Sequence, residues 1–367
     1  YRFSDVNYVT RSEDEQESFF QRYCRCLNSF DCTFKITVNN KNKDMDVLRN
    51  EVMLKYRNDG FDKMRESYNR IIEEKILEGR QGIEQERYIT ITIERKNFEE
   101  AKAQFATIEA SMFRSFAELG SKLTPLTGNE RLKILHDYYR LGREDEFNFD
   151  IKNGRITGTD FRNEICNTRI KYHPDYFEDE GKVGRVLFIK KYPTYLSDRF
   201  FTELTFLPVH SVTSVDVVPV PKDLTMKMLQ KKYLGIESDI IKQQRTRNRN
   251  NDFSSDISYA TRQKKKDIEE IMNNVRENDE SLYYVSVTMI VMADDRDELE
   301  SICETVDSIA KGAGCAVDTC MYKQREAVNT TLPIGVRQIE TMRTMLTQSL
   351  AVLMPFNVQE RATRFAV

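Results

Sequence analysis

Two hydrophobic periods alternate along the first 140 residues. Residues 32–38 hold β-branched and aromatic side chains, and residues 87–93 alternate with a period of two, so both segments predict strands. Apolar positions at helical spacing predict one or two helices over 44–78, with a break near Gly60, and a further helix over 130–140. Residues 98–119 predict a longer helix that ends at Gly120 as its C-cap.

The second half has the order strand, helix, strand, insertion, strand, helix, strand. The predicted strands are residues 185–191, 214–220, 283–292 and 315–322, and the predicted helices are residues 197–206 and 295–311. This order is that of a split βαβ, or ferredoxin-like, arrangement. We therefore expect an α+β fold with two α/β subdomains, the second ferredoxin-like with an inserted helical hairpin.

The expected domain division follows from length and from one polar stretch. At about 150 residues per domain, a chain of 367 residues predicts two or three domains. Residues 141–182 are polar, and Asn153-Gly154 within them is a dipeptide typical of hairpin turns. The expected units are residues 1–145, residues 146–325 with the insertion at 221–278, and a junction at 326–367.

The inserted hairpin combines two apolar stripes with a basic tip. The stripes, which we expect to pack on each other, are Leu224, Met228, Tyr233, Ile236 and Ile240 on one arm and Ile268, Ile271, Met272 and Val275 on the other. The tip has two acids and eight basic residues, namely Lys242, Arg245, Arg247, Arg249, Arg262, Lys264, Lys265 and Lys266. Three interpretations stay open: a solvated turn, contact with an anionic membrane surface or acidic partner, and nucleic-acid binding.

Composition and charge exclude several classes. The chain is 40% hydrophobic and 31% charged, which is typical of a globular protein. A formal net charge of -3 argues against a global attraction to nucleic acid or anionic membrane. No apolar run reaches the roughly 18 residues that cross a bilayer. Seven scattered cysteines without zinc-site spacing indicate reduced thiols in a cytosolic compartment and no metal site.

Catalytic motifs are missing from the sequence. It contains no G-x-x-x-x-G-K-[ST] phosphate loop, no G-x-S-x-G elbow and no H-E-x-x-H helix. His136, His173 and His210 fall in separate elements, so we expect packing or surface roles for them. We therefore expect no catalytic, cofactor-binding or metal-binding residue here. A hydrolase with paired carboxylates is a weaker alternative that would need acids converging in a cleft.

The C-terminal region, residues 329–360, allows two interpretations. Ile339, Met342, Met345, Leu346 and Leu350 have the spacing of an amphipathic helix that would complete the second domain. Alternatively, Pro355 ends that helix and the apolar run 350–356 is a hinge to a further domain. The hinge interpretation predicts exposed apolar surface at this end of the chain.

Several segments resemble the N-terminal region of the large motor ATPase of conjugative type IV secretion systems, the VirB-four-like (TraC/TraE-type) family. In chain order they are EDEQESFFQRYCRCLNSFD (13–31), LTGNERLKILHDYY (126–139), KVGRVLFIKKYPTYLSD (182–198), PVPKDLTMKMLQKKYLGIESDIIKQQRTRNRNNDFSSDI (219–257) and NTTLPIGVRQIETMRTMLTQSLAVLMPFNVQE (329–360). The resemblance covers most of the chain. In that family the last segment joins the N-terminal domain to a RecA-like motor, and the residues at the corresponding junction are Pro333, Gly335, Arg337, Pro355 and Phe356.

The resemblance implies an assembly and docking domain that supports DNA transfer and channel assembly. It implies a cytoplasmic location, peripheral at the inner face of the cytoplasmic membrane, with inner-membrane components of the secretion apparatus as partners. ATP and Mg would bind only to the motor, which would also mediate self-association. The residues from Arg361 onward depart from the family, so we expect a truncated or frame-shifted coding sequence or an isolated N-terminal region, without ATPase activity. A free-standing nucleic-acid-binding accessory protein, using the basic hairpin 242–266, is the alternative.

Overall fold

The computed structural model of this chain describes residues 1–42, 53–77, 83–166, 169–193, 195–197, 199–249, 259–277 and 279–357. Part of the helix predicted over 44–78 lies outside these residues. Eleven strands are described, namely β1 (Arg2–Phe3), β2 (Thr33–Asn42), β3 (Ile83–Thr92), β4 (Leu123–Thr124), β5 (Ile170–Tyr172), β6 (Phe177–Asp179), β7 (Lys182–Lys191), β8 (Ser211–Val220), β9 (Leu282–Ala293), β10 (Ala316–Thr319) and β11 (Arg343–Leu346).

The α-helices of the described residues match most of the predicted ones. They are α1 (Glu13–Asn28), α2 (Asp62–Leu77), α3 (Phe98–Leu119), α4 (Gly128–Tyr139), α5 (Ile151–Thr157), α6 (Arg162–Ile165), α7 (Arg199–Thr205), α8 (Lys222–Arg249), α9 (Tyr259–Glu277), α10 (Arg296–Gly312), α11 (Gln324–Thr331) and α12 (Thr347–Ala351). Gly120 ends α3 in the left-handed conformation, with φ of 79°. The predicted α+β class is confirmed.

The strands form one antiparallel sheet in the order β4-β1-β3-β2-β8-β9-β7-β6-β5, with β10 beside β7 and β11 beside β9. Strand β2 of the first half pairs with β8 of the second, from Phe34 opposite Val217 to Asn40 opposite Ser211. The sheet is therefore continuous across the two halves of the sequence. The strand order β8-β9-β7-β10 belongs to the segment predicted as ferredoxin-like, and that subdomain assignment stays a prediction.

One face of the sheet, which we call the apolar face, carries the main core. Alternate residues of the central strands point into it because side chains of a strand alternate between faces. Its buried members include Phe34 and Ile36 on β2, Val215 and Val217 on β8, and Val285 and Val287 on β9. The helices α1, α3, α7, α10 and α12 contribute Phe19, Phe116, Phe200, Val306 and Leu350 to the same cluster. This core joins both halves of the chain.

The opposite face, which we call the polar face, has a row of polar residues across four strands. Thr90 of β3 lies opposite Lys35 of β2, which lies opposite Asp216 of β8, which in turn lies opposite Ser286 of β9. Lys35, Asp216 and Ser286 are buried. Helix α11 covers this face, since Thr331 Oγ1 donates to Thr288 Oγ1 at 2.9 Å. Buried polar groups of this kind require hydrogen-bond partners.

The hairpin turn predicted at Asn153-Gly154 is wrong, because both residues lie within α5. The Asp150 side chain caps that helix by accepting from the Lys152 backbone N–H. A Cβ on Gly154 would come within 2.6 Å of the Phe149 ring, so glycine serves here for close packing. The helix cap at Asp150 and the close packing of Gly154 on Phe149 favour a helix here, although the dipeptide alone is typical of a turn.

The exposed apolar surface predicted at the C-terminal end is also wrong. Leu353 and Phe356 are each 1% exposed and belong to the main core. The Phe356 ring meets those of Phe3, Phe19 and Tyr23 in edge-on contacts, with centroids 5.5 to 5.7 Å apart. The run that resembled a hinge fills the space between the N-terminal segment and α1.

The amphipathic helix predicted across residues 339–350 is replaced by β11 followed by the short helix α12. Ile339 packs in a second, smaller cluster that includes Val212, Ile290 and Tyr138, whereas Met345 and Leu350 pack in the main core. A continuous helix would place Ile339 and Leu350 on the same side. The extended strand lets this segment supply apolar residues to two separate clusters.

Replacing Phe356 by Ala is expected to lower the free energy of unfolding by about 3–5 kcal/mol, because a fully buried ring is removed. Urea denaturation followed by circular dichroism measures the loss. Ile156→Ala is the control, since Ile156 is 84% exposed and its truncation should change stability by less than about 0.5 kcal/mol. Equal stability of the two variants would contradict the buried placement of Phe356.

His210 gives a pH-dependent prediction for the smaller cluster. Burial lowers the pKa of this imidazole to about 4, with Lys182 as the secondary cause. Neither ring nitrogen has a hydrogen-bond partner among the residues described, and the ring lies 6.4 Å from that of Tyr138. Protonation therefore favours the unfolded chain between pH 6.5 and about 4.

The protonation of His210 should not change the free energy of unfolding above pH 6.5. Below pH 6.5 it should lower this free energy progressively, by up to about 3 kcal/mol near pH 4. Urea denaturation at pH 7.5 and pH 5 compares the wild type with His210→Leu. The variant should lose less stability than the wild type between these two values. Parallel losses would show that His210 is not buried as a neutral ring.

Candidate functional site: the basic hairpin and the junction segment

Helices α8 and α9 form the predicted antiparallel hairpin. Helix α8 has 28 residues and is therefore about 42 Å long. Side chains join the two arms: Tyr233 Oη donates to Glu269 at 3.2 Å, and Lys265 Nζ pairs with Glu237 at 3.0 Å. The Lys265 ammonium also lies 5.0 Å from the centre of the Tyr233 ring. These contacts fix the register of the arms.

The apolar stripe of α8 differs from the predicted one. Leu224 was expected on it, yet 47% of Leu224 is exposed, whereas Leu229 is buried. Five residues along a helix correspond to about 140°, so Leu224 and Leu229 point in different directions. Leu229 and Val275 are buried near the base of the hairpin, and Tyr233 and Ile236 continue the stripe as half-buried residues.

The predicted basic patch is only partly available to a partner. Lys265 pairs with Glu237, and its contacts with Tyr233 and then Glu237 raise the pKa of the lysine. Lys242 lies 3.9 Å from Asp239. Lys242 is nevertheless exposed, as are Arg245, Arg262, Lys264 and Lys266. Arg247 and Arg249 belong to α8, and their side chains lie outside what the structure describes.

Sequence analysis missed a second group of cations on α8. Lys227 and Lys231 are exposed, and helical spacing places them on the same side as Lys242 and Arg245, away from α9. Exposed apolar residues lie among them, since Leu234 is 62% and Ile241 is 48% exposed. We call this side, formed by Lys227, Lys231, Leu234, Ile241, Lys242 and Arg245, the outer face of α8. The helical spacing of Lys227, Lys231, Lys242 and Arg245 could have revealed this face. Counting basic residues only over the hairpin tip, residues 242–266, missed it.

The predicted motor-junction residues do not come together. Pro333, Gly335 and Arg337 lie in the segment after α11 on the polar face, where Thr90 Oγ1 donates to the Pro333 carbonyl at 3.3 Å. Gly335 fits closely there, since a Cβ would come within 2.7 Å of Thr92 Oγ1. Pro355 and Phe356 lie at the apolar face instead. The residues named for the motor junction therefore lie at two separate anchoring points, 333–337 on the polar face and 355–356 on the apolar face, and each is held by a buried cation.

Lys35 holds the first of these anchoring points. Its Nζ, which has three N–H donors, lies within hydrogen-bond distance of the carbonyl oxygens of four alternate residues, Thr330, Leu332, Ile334 and Val336. The distances to Ile334 and Val336 are both 3.0 Å. The Asp216 carboxylate lies 3.4 Å away, and both charged side chains are 4% exposed. The end of α11 and the bend that follows it thus curve around one buried ammonium group.

Burial shifts the pKa values of Lys35 and Asp216 in opposite directions. Desolvation lowers the pKa of Lys35 and raises that of Asp216, because each charged form loses hydration. Their mutual attraction opposes both shifts. The four carbonyls surround the ammonium group of Lys35, whereas Asp216 Oδ2 has no hydrogen-bond partner among the described residues and depends on Lys35 for compensation of its burial.

Arg87 holds the second anchoring point. Its Nε donates to the Pro355 carbonyl at 2.6 Å, and its Nη2 pairs with Asp5 at 2.6 Å. The Asp5 carboxylate also accepts from the Asn357 backbone N–H at 2.9 Å. The N-terminal segment, β3 and the C-terminal segment are thereby tied together through one buried guanidinium.

The alternative of a carboxylate-pair hydrolase finds no support in four clefts with volumes of about 350 to 890 Å³. Among the described residues that line them, Glu203 is the single carboxylate. Within the described ranges, no three His, Cys, Asp or Glu side chains are arranged to hold a metal ion. The described helices also include none that is long and apolar enough to cross a bilayer.

No protein-family model matches this chain, and no curated protein matches it either.

Replacing Lys35 by Met is expected to lower the free energy of unfolding by about 3–5 kcal/mol, because Asp216 is left buried without its partner. Trypsin should then cleave faster after Arg337, which is exposed beside the segment that Lys35 holds. Urea denaturation and timed proteolysis measure the two effects.

The matched control is Lys190→Met, which breaks a 2.7 Å pair with Asp318 whose two side chains are 54% and 42% exposed. Its cost should be at most about 1 kcal/mol. Adding Asp216→Leu to Lys35→Met should recover part of the stability, because no unpaired charge then stays buried. An equal loss for Lys35→Met and Lys190→Met would contradict the anchoring role.

Proposed function

We propose that this chain is the N-terminal assembly and docking region of a conjugative type IV secretion ATPase, peripheral at the inner face of the cytoplasmic membrane. The resemblance of five segments in chain order supports the family. The observation that carries the location is the outer face of α8, where Lys227, Lys231, Lys242 and Arg245 surround exposed Leu234 and Ile241.

This combination suits an anionic lipid surface. Each lysine or arginine near such a surface contributes about 1 kcal/mol, so four contribute about 4 kcal/mol. Leu234 and Ile241 can enter the boundary between headgroups and acyl chains, which adds apolar burial. The sum gives reversible binding, which suits a protein that must also contact membrane components of a secretion apparatus.

The remaining parts of the proposal concern the longer ATPase. ATP and Mg would be held by its motor region, which would also drive self-association, and none of the residues named here would hold the nucleotide. The domain would support channel assembly and DNA transfer by placing the motor beside its inner-membrane partners. Nucleotide turnover by this chain alone would contradict this division of roles.

Flotation with vesicles tests the membrane contact. The chain should bind phosphatidylcholine vesicles that contain phosphatidylserine and should not bind pure phosphatidylcholine. Neutralising the outer face with Lys227→Gln, Lys231→Gln, Lys242→Gln and Arg245→Gln should weaken binding roughly 100-fold or more. The matched control removes the same charge at exposed positions elsewhere, with Lys102→Gln, Lys122→Gln, Lys152→Gln and Arg155→Gln.

Equal binding by the two quadruple variants would contradict docking through α8. The alternative accessory protein predicts a different result with the same variants. It requires DNA binding at low salt that falls steeply as salt rises and that disappears when Arg245, Arg262, Lys264 and Lys266 are neutralised. DNA binding without vesicle binding would favour that alternative.

A further inference from the structure

Helix α2 and Phe61, the residue just before it, carry an apolar stripe that no other described element covers. Phe61, Met64, Tyr68 and Ile71 are exposed by 59%, 69%, 40% and 48% of their surfaces. Their spacing places them on one side of the helix. No other helix or strand that the structure describes packs substantially against α2. A stripe of four large apolar side chains on one helix is a surface for a partner.

The polar contacts of α2 go to the segment that precedes it. Asp62 accepts from the backbone N–H groups of Arg57 at 3.0 Å and Asn58 at 2.9 Å. The Asn69 amide exchanges two hydrogen bonds with the backbone of Leu54, at 2.9 and 3.0 Å. Arg65 pairs with Asp62 at 2.6 Å. Residues 54–58 are thus hydrogen-bonded to α2 through Asp62 and Asn69, and these contacts do not involve the side chains of the apolar stripe.

The position of α2 in the fold makes the stripe accessible. The helix lies in the connection between β2 and β3, whose last paired residues are Asn42 and Ile83. The sheet therefore closes before the helix begins, and no strand pairing depends on α2. A partner could bind the stripe without disturbing the sheet.

We propose that the stripe binds the same stripe of a second copy of this chain, as an antiparallel helix pair. The intervals between Phe61, Met64, Tyr68 and Ile71 are three, four and three residues, so the pattern is identical in both directions. About a two-fold axis at residue 66, Phe61 of one copy meets Ile71 of the other, and Met64 meets Tyr68. Such self-complementarity is what an isologous interface requires.

Charge supports a second copy over an anionic surface. Helix α2 has four acids (Asp62, Glu66, Glu73 and Glu74) and four bases (Lys63, Arg65, Arg70 and Lys75), so it is neutral. Two neutral helices do not repel each other, and their antiparallel dipoles attract. The basic outer face of α8 has the opposite character. The α2 pairing involves none of the residues of the membrane proposal and stands independently of it.

The interface is small, since one helix from each copy contributes four apolar residues, and it belongs to the weak and transient class. Sedimentation velocity over a range of protein concentrations should therefore show a reversible monomer–dimer equilibrium. Met64→Glu should weaken dimerisation by roughly 100-fold, because each copy then buries an unpaired carboxylate against Tyr68. Lys63→Glu is the control, since it adds a glutamate away from the stripe and should leave the equilibrium unchanged.

A charge-pairing experiment tests the register. Met64→Glu and Tyr68→Lys should each be monomeric alone. Mixed together they should form a heterodimer, because residue 64 of one copy faces residue 68 of the other and the two new charges then pair. A mixture that stays monomeric would overturn the proposed antiparallel register.

Three other outcomes would overturn the proposal. A chain that stays monomeric at every concentration has no such interface. Dimers that persist in Met64→Glu use a different surface. A large loss of unfolding free energy in Met64→Glu, measured in urea, would mean that the stripe is covered within its own chain, because an exposed side chain should tolerate this change.

Discussion

The ammonium group of Lys35 is buried in the interior, and several elements of the fold are placed so that they compensate its charge. An isolated charge in the interior is costly, so Lys35 on the central strand β2 needs both a counter-ion and hydrogen-bond acceptors. Asp216 on the neighbouring strand supplies the first. The end of α11 and the backbone after it supply the second by presenting four alternate carbonyls, and these contacts hold residues 330–336 on the polar face.

The same condition explains how the C-terminal part of the chain joins the two halves of the molecule. After leaving Lys35, the chain pairs β11 with β9 at residues 343–346, and then enters the apolar face through Leu353 and Phe356. At the apolar face, Arg87 donates a hydrogen bond to the Pro355 carbonyl and pairs with Asp5 of the N-terminal segment. One segment therefore covers both faces of a sheet whose strands come from both halves, which is why it packs as part of the core.

Sequence patterns predicted the elements that depend on their own periodicity. The strands β3 and β9, the helices α3 and α10, and the α8–α9 hairpin were all recognised in this way. The failures depend on contacts distant in sequence. Asn153-Gly154 became helical beside Phe149, and Phe356 was buried by Phe3 and Phe19. Nothing near Lys35 in sequence identifies its carbonyl partners, which lie about 300 residues away.

The surfaces that remain for partners arise from insertions between paired strands. Helix α2 lies between β2 and β3, and α8 with α9 lies between β8 and β9, which still pair at Val220 and Leu282 beneath the insertion. The pairing of the strands on either side of each insertion is complete without residues of the insertion. Their chemistry differs, since α2 is neutral with one apolar stripe while the outer face of α8 is basic. Different charge on two separate protrusions selects different partners, because electrostatic complementarity determines specificity more than affinity.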